Sequence, residues 1–225
     1  MKAEKKVIAI VPARGGSKSI PDKNLAELAG KPLIAHSIIS AIETPSISRV
    51  LVTTDSDKIK DVSIHYHAEV PFIRPKNLSD DITPTQPVIK HAIEWLLDKK
   101  ISYENVCCIY PTAPLIKIDD IKKSLKILES SIEDIYVFIA TSYPYPIMRS
   151  MFIDKEGYSK MFYPQKFKER SQDLEDAFHD TGQFYWAKTK TWINIENIFK
   201  RAKPLVIPRW RVQDIDNEED WLRAE

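Results

Sequence analysis

The sequence predicts an α/β fold with a doubly wound, mostly parallel sheet, and two observations carry this prediction. Short apolar runs rich in β-branched residues alternate along the chain with segments whose apolar residues recur at helical spacing. Strands that alternate with helices in this way form parallel βαβ units. The chain has 225 residues, 43% of them hydrophobic, which is enough to bury the core of one domain covering residues 1–225.

The predicted strands are short apolar runs. The first, VIAIV at residues 7–11, ends at Pro12, which brings no backbone donor to a sheet. Similar runs predict strands at residues 49–54, 68–73, 105–110 and 135–140. Ligands of such sheets bind outside the carboxyl ends of the strands. The loop around Arg14, together with Asp55, Pro111 and Thr112, is therefore expected on one rim.

The predicted helices are segments with one apolar face. Residues 32–43, 85–99 and 119–131 place their apolar residues at helical spacing. A further helical turn is expected to begin at residues 55–57 with a capping side chain. The two cysteines, Cys107 and Cys108, are adjacent in a predicted strand and would point to opposite faces. We expect them to be small buried residues without a disulfide, metal or catalytic role.

The alternation stops between residues 142 and 182, which predicts an inserted arm. Pro144 and Pro146 exclude a helix there. Residues 151–153 and 158–162, on either side of a turn, predict a β-hairpin. A ribbon of two strands is marginal in water, and this one is rich in Met, Phe and Tyr, so we expect it to pack against the parent domain or a second subunit. Gly182 is expected to form a turn before an aromatic strand.

The composition excludes several classes of protein. The formal net charge of +1 argues against nucleic-acid binding, for which a strongly basic chain is expected. No apolar run approaches the length of a membrane span. The first six residues lead into a strand too short for the apolar region of a signal peptide. We therefore expect a cytoplasmic protein with neither a nucleic-acid nor a membrane partner.

The loop after the first strand is the main functional signal. Within eleven positions it holds Arg14, Gly15, Gly16, Ser17, Lys18, Lys23 and Asn24. Adjacent glycines let the backbone turn with positive φ and approach a ligand, and cations and exposed amides around such a turn bind phosphates. The P-loop and dinucleotide signatures are both absent from the sequence. On these residues alone, a phosphate loop and a solvated basic connection remain equally open.

The complete string favours the phosphate loop. P-A-R-G-G-S-K-x-I-P-x-K-N-L, followed by Gly30-Lys31-Pro32-Leu33, resembles the N-terminal signature of the cytidylyltransferases that activate acidic 2-keto-3-deoxy sugars such as sialic acid. With the later motifs, the resemblance extends from Val7 to Trp221. It implies a Rossmann-like nucleotidyltransferase, CTP and an acidic nine-carbon sugar as substrates, and Mg²⁺. It also implies a homodimer in which the inserted arm exchanges between protomers.

The resemblance assigns CTP binding to several segments. The triphosphate would contact Arg14, Gly15, Gly16, Ser17 and Lys23, and Asn24 would hold the loop or the ribose. Arg74 and Thr85, at the two ends of RPKNLSDDITPT, correspond to positions that contact the cytosine. Without the resemblance, this stretch would be a surface loop in which Thr83 or Thr85 caps the next helix.

Two aspartates near the end of the chain are candidate metal ligands. Asp214 and Asp216 share a face if the segment is extended, so they could hold one cation. Asp216 and Glu219 also fit a capping box for a closing helix, and the residues alone leave both interpretations equally open. The family resembled has D-I-D-x-x-x-D here, with both aspartates as magnesium ligands.

Sugar recognition is expected from the middle of the chain. Tyr110 stands where sialate-activating enzymes usually have Gln, which points to a differently decorated sugar. Gln183 and Tyr185, in HDTGQFYW, correspond to sugar-binding positions, although burial preferences alone favour a core role for these aromatics. That string is most similar to the branch of the family that activates pseudaminic acid. Arg149 and Arg170 are candidates for the sugar carboxylate or the phosphates.

The resulting hypothesis is transfer of CMP from CTP to the anomeric hydroxyl of a nonulosonic acid, with release of pyrophosphate. Catalysis would depend on positioning and charge neutralisation by Arg14, Lys23, Asp214 and Asp216, with metal-assisted loss of the hydroxyl proton. Activation of sialic or legionaminic acid is the alternative within this class. A non-catalytic nucleotide-binding regulator and a Rossmann-type oxidoreductase are alternatives from other classes.

Overall fold

The computed structural model describes residues 7–17 and 19–225. The expectations for residues 1–6 and for Lys18 of the N-terminal loop lie outside the described residues.

The strands form one large sheet and two small ones. In chain order they are β1 (Val7–Pro12), β2 (Glu27–Leu28), β3 (Lys31–Pro32), β4 (Arg49–Thr53), β5 (Asn105–Ile109), β6 (Tyr136–Ser142), β7 (Met151–Ile153), β8 (Ser159–Met161), β9 (Phe178–Lys188) and β10 (Ala202–Val206). The large sheet has six strands in the order β10-β6-β9-β5-β1-β4, and the small sheets pair β2 with β3 and β7 with β8.

The large sheet is mostly parallel, as predicted. Strand β1 pairs in parallel with β4 and β5, and β6 pairs in parallel with β10. Strand β9 lies between β5 and β6 and runs antiparallel to both. The carboxyl ends of the five parallel strands therefore meet at one rim.

The described residues form six helices, five of which pack on the two faces of this sheet. They are α1 (Leu33–Ile42), α2 (Asp57–His65), α3 (Thr85–Asp98), α4 (Ile118–Ser130), α5 (Thr189–Asn194) and α6 (Glu218–Ala224). Short 3₁₀ turns occur at Lys23–Leu25, Lys76–Leu78, Ile147–Arg149, Pro164–Lys166, Ser171–Asp173 and Arg209–Arg211. The cap expected at residues 55–57 is Ser56, whose side chain accepts from the Ile59 N–H. Within the described residues, no helix combines the length and apolarity needed to cross a membrane.

The core is divided by the sheet into two layers, because successive side chains on a strand point to opposite faces. Ala9 and Cys107 pack in the layer that contains α1 and α4 residues. Ile8 and Cys108 pack in the layer that contains α3 residues and Trp192. The two cysteines are buried and free, as expected, and burial raises the pKa of each thiol.

The strand predicted at residues 68–73 does not form. Only isolated bridges join this segment to its neighbour, between Leu51 and Glu69 and between Thr54 and Ile73. Pro71 lies between the two bridges and has no N–H to donate to a ladder, which explains the interruption.

The turn predicted at Gly182 is also wrong, because Gly182 lies inside β9. Its φ is +61°, and the register of β9 against β6 shifts between Phe138 and Ala140. A single left-handed glycine with a register shift is the signature of a β-bulge. The bulge bends β9 without ending it.

The hairpin predicted in the inserted segment is present as the β7–β8 pair. It lies in the arm, defined here as residues 143–177 between β6 and β9. The last part of the predicted insert, from Phe178 to Gly182, belongs to β9 instead. Large apolar side chains of the arm are exposed, among them Met151, Ile153, Tyr158, Phe162 and Phe167.

Candidate active site

A cavity of about 410 Å³ lies at the rim, beside the ends of β1 and β5. Its walls come from the loop after β1, residues 74–88, the loop after β5 and the C-terminal segment. Eight of the predicted catalytic and binding residues line it: Arg14, Ser17, Lys23, Asn24, Arg74, Thr85, Tyr110 and Asp216.

Gly15 and Gly16 line an adjoining cavity of about 510 Å³, which shares Arg14, Asp80 and Asp81 with the first. Gly16 has φ +69°, which a side chain would strain. The Gly15 N–H donates to Asp55 Oδ1 at 2.8 Å. The carboxylate that follows β4 therefore holds the glycine turn that follows β1.

Arg14 and Asn24 fix the remainder of the loop. The Arg14 guanidinium pairs with Asp81 Oδ1 at 2.6 Å. The Asn24 amide donates to the Arg14 carbonyl at 3.0 Å, and its own Oδ1 is buried without a hydrogen-bond partner. Asn24 thus holds the loop, and its buried Oδ1 is an acceptor that lacks a hydrogen-bond donor.

Lys23 joins the N-terminal loop to the far end of the chain. Its Nζ donates to the Ile215 carbonyl at 2.6 Å and lies 3.3 Å from Asp216 Oδ1, across 193 positions of sequence. Most of the Lys23 side chain is buried, whereas Asp216 is exposed to the cavity. Lys23, which was predicted to bind phosphate, is therefore in contact with Asp216, a predicted metal ligand.

Asp214 lies next to this pair. Burial and the charge of Asp216 raise the pKa of Asp214 to about 6. A Cβ at Gly182 would come within 2.7 Å of Asp214 Oδ2, so the carboxylate lies directly against the glycine bulge of β9. Only a residue without a side chain permits this approach.

The capping box proposed for Asp216 and Glu219 is wrong. The N-cap of α6 is Asn217, whose side chain accepts from the Asp220 N–H at 3.0 Å, and Asp220 accepts in return from the Asn217 N–H at 3.1 Å. The motif is shifted by one residue, because Asn is as effective an N-cap as Asp. Asp216 keeps its side chain outside the helix cap.

The donor chemistry of this carboxylate pair fits Mg²⁺. No group of three or more His, Cys, Asp or Glu residues in the described ranges forms a complete cage. Magnesium is usually held by one or two carboxylates together with substrate phosphates, so a pair beside a phosphate loop is the expected donor set. The raised pKa of Asp214 also reflects repulsion from Asp216, which a cation would relieve.

Arg74 and Thr85 also line the cavity. Arg74 is 4% exposed, and burial lowers its pKa. Its Nη2 has no hydrogen-bond partner, since Asp55 Oδ1 is 3.8 Å away. Thr85 begins α3 without capping it by its side chain, and its hydroxyl lies 2.5 Å from the Tyr110 hydroxyl.

The predicted sugar-binding residues are not brought together. Tyr110 lines the cavity, whereas Gln183 and Tyr185 are buried behind its wall, with the Gln183 amide donating to the Arg211 carbonyl at 3.2 Å. Arg149 donates to the Glu169 carbonyl, and Arg170 pairs with Asp173 at 2.7 Å. Both arginines lie in the arm and are absent from the cavity lining.

Two acidic residues at the site were missed by sequence reasoning. Asp81 pairs with Arg14, and Asp180 accepts from the Tyr185 hydroxyl. Asp55, which was expected at this rim, accepts from the Gly15 N–H. Asp81 lies within RPKNLSDDITPT and Asp180 lies within HDTGQFYW, two motifs that were considered for other residues. Their place in these motifs was the signal that could have identified them. Their hydrogen-bond and ion-pair partners depend on the tertiary structure, which the motifs alone do not predict.

Solved structures share this architecture. CMP:2-keto-3-deoxy-manno-octonic acid synthetase complexed with CTP superposes with a TM-score of 0.72 at 14% identity, covering 97% of both chains. 4-diphosphocytidyl-2C-methyl-D-erythritol synthase from Anaerococcus prevotii gives 0.64 at 15% identity, covering 98% of this chain and 95% of that one. The chain therefore shares the α/β fold of these two synthases.

Curated relatives match over almost the whole chain. Pseudaminic acid cytidylyltransferase from Campylobacter jejuni is 40% identical over 217 residues, which cover 96% of this chain and 93% of the relative. CMP-N,N'-diacetyllegionaminic acid synthase from Legionella pneumophila is 32% identical, covering 98% and 95%. Residues 8–191 match the profile of the family described as "Cytidylyltransferase", and the chain belongs to that family. The predicted enzyme class, a nucleotidyltransferase, is confirmed.

Proposed function

We propose that this cytidylyltransferase transfers CMP from CTP to the anomeric hydroxyl of a nonulosonic acid, and that the acid is pseudaminic acid. The observation that carries the proposal is the meeting of Lys23 with Asp216 at 3.3 Å in the wall of the rim cavity. It joins a glycine loop suited to phosphates with a carboxylate pair suited to Mg²⁺. The names of the relatives at 40% and 32% identity support a nonulosonic acid as acceptor.

The N-terminal loop would hold the triphosphate. Arg14, Ser17 and Lys23 line the cavity, and Gly15 and Gly16 line the space beside it. The Gly15 N–H already donates to Asp55, so the Gly16 amide would contact the phosphates. Arg14 would exchange Asp81 for phosphate oxygens, since a guanidinium binds either anion through parallel N–H groups. Asn24 would keep the loop in place through the Arg14 carbonyl.

The buried wall would read the base. Cytosine offers carbonyl and ring-nitrogen acceptors beside an amine donor. Arg74 Nη2 is a buried donor without a partner, so an acceptor on the base would satisfy it. Thr85 could contact the amine or a carbonyl through the hydroxyl that now meets Tyr110.

In the reaction, the anomeric oxygen forms a bond to the α-phosphorus of CTP while the bond from that phosphorus to the bridging oxygen breaks. Pyrophosphate leaves with the bonding electrons, and the attacking hydroxyl loses its proton. Asp214 and Asp216 would hold Mg²⁺, which supplies charge neutralisation and lowers the pKa of a bound hydroxyl. Arg14 and Lys23 would neutralise the charge on the leaving group.

Tyr110 would contribute to the choice of sugar. Its ring lines the cavity, and burial raises the pKa of its hydroxyl, so the phenol stays neutral. A neutral aromatic wall favours apolar and N-acyl decorations over the glycerol-like hydroxyls that a Gln amide would bind. Gln183 and Tyr185 lie behind this wall, so a role in sugar binding for them would act through Tyr110.

The arm would complete the enzyme as a homodimer. Its exposed apolar side chains are unusual for a surface and typical of an interface. Arg149 and Arg170 lie outside the cavity of their own chain, so we propose that they approach the sugar of a second copy. CTP is a cytoplasmic nucleotide, and we propose that the dimer works in the cytoplasm as one catalytic domain per chain.

A transfer assay tests the proposal. Purified enzyme with CTP and Mg²⁺ is given pseudaminic, legionaminic or N-acetylneuraminic acid, and CMP-sugar and pyrophosphate are measured. We expect the highest kcat/KM with pseudaminic acid. Preference for another acid would contradict the substrate assignment, and no product with any of the three would contradict the proposed function.

A further inference from the structure

Asp180 holds two parts of β9 that a regular strand would keep apart. Its Oδ1 accepts from the Gly182 N–H at 3.2 Å, and its Oδ2 accepts from the Tyr185 hydroxyl. On a regular strand, residues five positions apart are separated by about 16 Å and point to opposite faces. The left-handed bulge at Gly182 brings Asp180 and Tyr185 together, and each carboxylate oxygen keeps one end of the bulge in place.

The bulge is in contact with the candidate metal ligand. The position of a Cβ on Gly182 lies 2.7 Å from Asp214 Oδ2 and 3.0 Å from Asp214 Cγ. Burial and Asp216 raise the pKa of Asp214 most, and Asp180 adds to this rise, which agrees with its closeness. A shift of the Gly182 backbone would therefore change the space available to the Asp214 carboxylate.

The other oxygen of Asp180 leads to the cavity wall. The Tyr185 ring lies 5.3 Å from the Tyr110 ring, between centroids, and Tyr185 is 2% exposed. Tyr110 reaches the cavity, where its hydroxyl meets Thr85 at 2.5 Å. One partly buried carboxylate is thus connected to the wall on one side and to Asp214 on the other.

We propose that Asp180 is a positioning residue, which holds the Gly182 bulge against Asp214 and so sets the carboxylate used for the metal. The proposal rests on the proposed function. Residues that orient metal ligands without touching the metal change metal affinity or activity by about 10–100-fold when they are replaced. Asp180 has the same relation to Asp214, acting through a backbone N–H and a glycine.

The test measures metal binding as well as activity. Mn²⁺ is titrated into enzyme with saturating CTP, without sugar, and bound Mn²⁺ is followed by electron paramagnetic resonance with a CTP-only correction. We expect Asp180→Ala to raise the Kd for Mn²⁺ about tenfold. Asp180→Asn keeps an oxygen for the Gly182 N–H and an amide that can donate to Tyr185, so it should restore binding to within about threefold of wild type.

Asp119→Ala is the matched control, because it removes an exposed acid whose partner, Lys122, is 3.5 Å away on the same helix. It should leave the Kd unchanged. Wild-type affinity in Asp180→Ala would overturn the proposal. An equal loss in Asp180→Asn would also overturn it, because it would mean that charge and not hydrogen bonding is responsible.

A second variant acts on the same contact from the other side. Gly182→Ala puts a methyl group against Asp214, so it should also raise the Kd for Mn²⁺. Combining it with Asp180→Ala should add little, since both displace one carboxylate. Fully additive losses would contradict a shared route through Asp214.

Wild-type activity separates this inference from the proposed function. If wild-type enzyme makes no CMP-sugar with any of the three acids, the proposed function fails. If wild-type enzyme is active but Mn²⁺ affinity is the same in Asp180→Ala, only the inference fails.

Discussion

The rim cavity and the arm depart from ordinary burial preferences in opposite ways. In the cavity, polar side chains are buried: Asn24 is 8% exposed and Arg74 is 4% exposed. In the arm, apolar side chains are exposed: Ile153 is 75% exposed and Tyr158 is 67% exposed. A buried polar group and an exposed apolar patch are the two departures from ordinary burial that indicate function.

The difference between the two regions indicates what each still requires. The cavity residues are held by contacts from distant parts of the same chain, such as Lys23 with Ile215, and unpaired polar atoms remain for a ligand. The β7–β8 hairpin of the arm forms a two-stranded sheet separate from the large sheet. The cavity is therefore suited to binding a small molecule, and the arm is suited to packing against a protein surface. Four substitutions test this contrast.

Asp216→Ala should have the largest effect. If Asp216 binds the metal, its loss should raise the activation free energy by several kcal/mol. This corresponds to a decrease in kcat/KM on the order of a thousandfold. The measurement is the rate of pyrophosphate release at saturating sugar over a range of Mg²⁺. Glu218→Ala removes an acid two positions away, in the first turn of α6, and should be nearly silent. A rate within threefold of wild type for Asp216→Ala would rule out its role in metal binding.

Lys23→Ala should follow. Lys23 makes a charged hydrogen bond to Ile215 and pairs with Asp216, and hydrogen bonds to charged groups contribute about 1.5–3 kcal/mol. The KM for CTP should rise and kcat should fall together, because both the phosphates and the C-terminal segment lose a partner. Lys31→Ala, at an exposed site in β3, is the control. Unchanged steady-state kinetics for Lys23→Ala would remove it from the site.

Ile153→Asp should break the arm and spare the cavity. A charge in an apolar interface should convert the proposed dimer to monomer, seen by sedimentation velocity, while CTP binding by calorimetry stays at the wild-type value. Loss of Arg149 and Arg170 from the second copy's sugar site should cost about 2 kcal/mol in kcat/KM for the sugar. Ile132→Asp is the control, because Ile132 is 98% exposed in the connection between α4 and β6. A fully active monomer would show that the arm is dispensable.

Arg74→Ala should have the smallest effect on rate and a specific effect on the base. Without the buried donor, the preference for CTP over UTP should fall about tenfold, or about 1.4 kcal/mol. The readout is the ratio of kcat/KM for the two nucleotides. Arg49→Ala removes an arginine that pairs with Glu69 at 2.6 Å, away from the cavity lining, and should keep the ratio. An unaltered ratio in Arg74→Ala would contradict reading of the base by this residue.

Much of the fold and part of the site followed from local patterns. Helix α3 was predicted to within one residue of its end, because apolar spacing over four turns is a strong signal. The glycine pair, of which Gly16 has positive φ, and the cations around it were visible as a string. The opposite faces of Cys107 and Cys108 followed from strand geometry alone.

The errors occurred where a local pattern has two physical outcomes. Gly182 could begin a turn or bulge a strand, and the contacts of β9 with β6 decided for the bulge. Asp216 and Asn217 could each cap α6, and the chain used Asn217, which left Asp216 facing the cavity. Residues 68–73 had strand composition, but Pro71 limited them to isolated bridges.

Spacing along the chain was sufficient for the alternation of strands and helices and for the phosphate loop, because both depend on neighbours a few positions apart. The contact of Lys23 with Asp216 spans 193 positions, and Asp214 packs against Gly182 of β9. Both contacts depended on how the C-terminal segment packs against the sheet and the N-terminal loop. Such contacts are set by the packing of whole elements, and no short segment contains that information. The same reason kept Asp180 hidden until the bulge that it holds was seen.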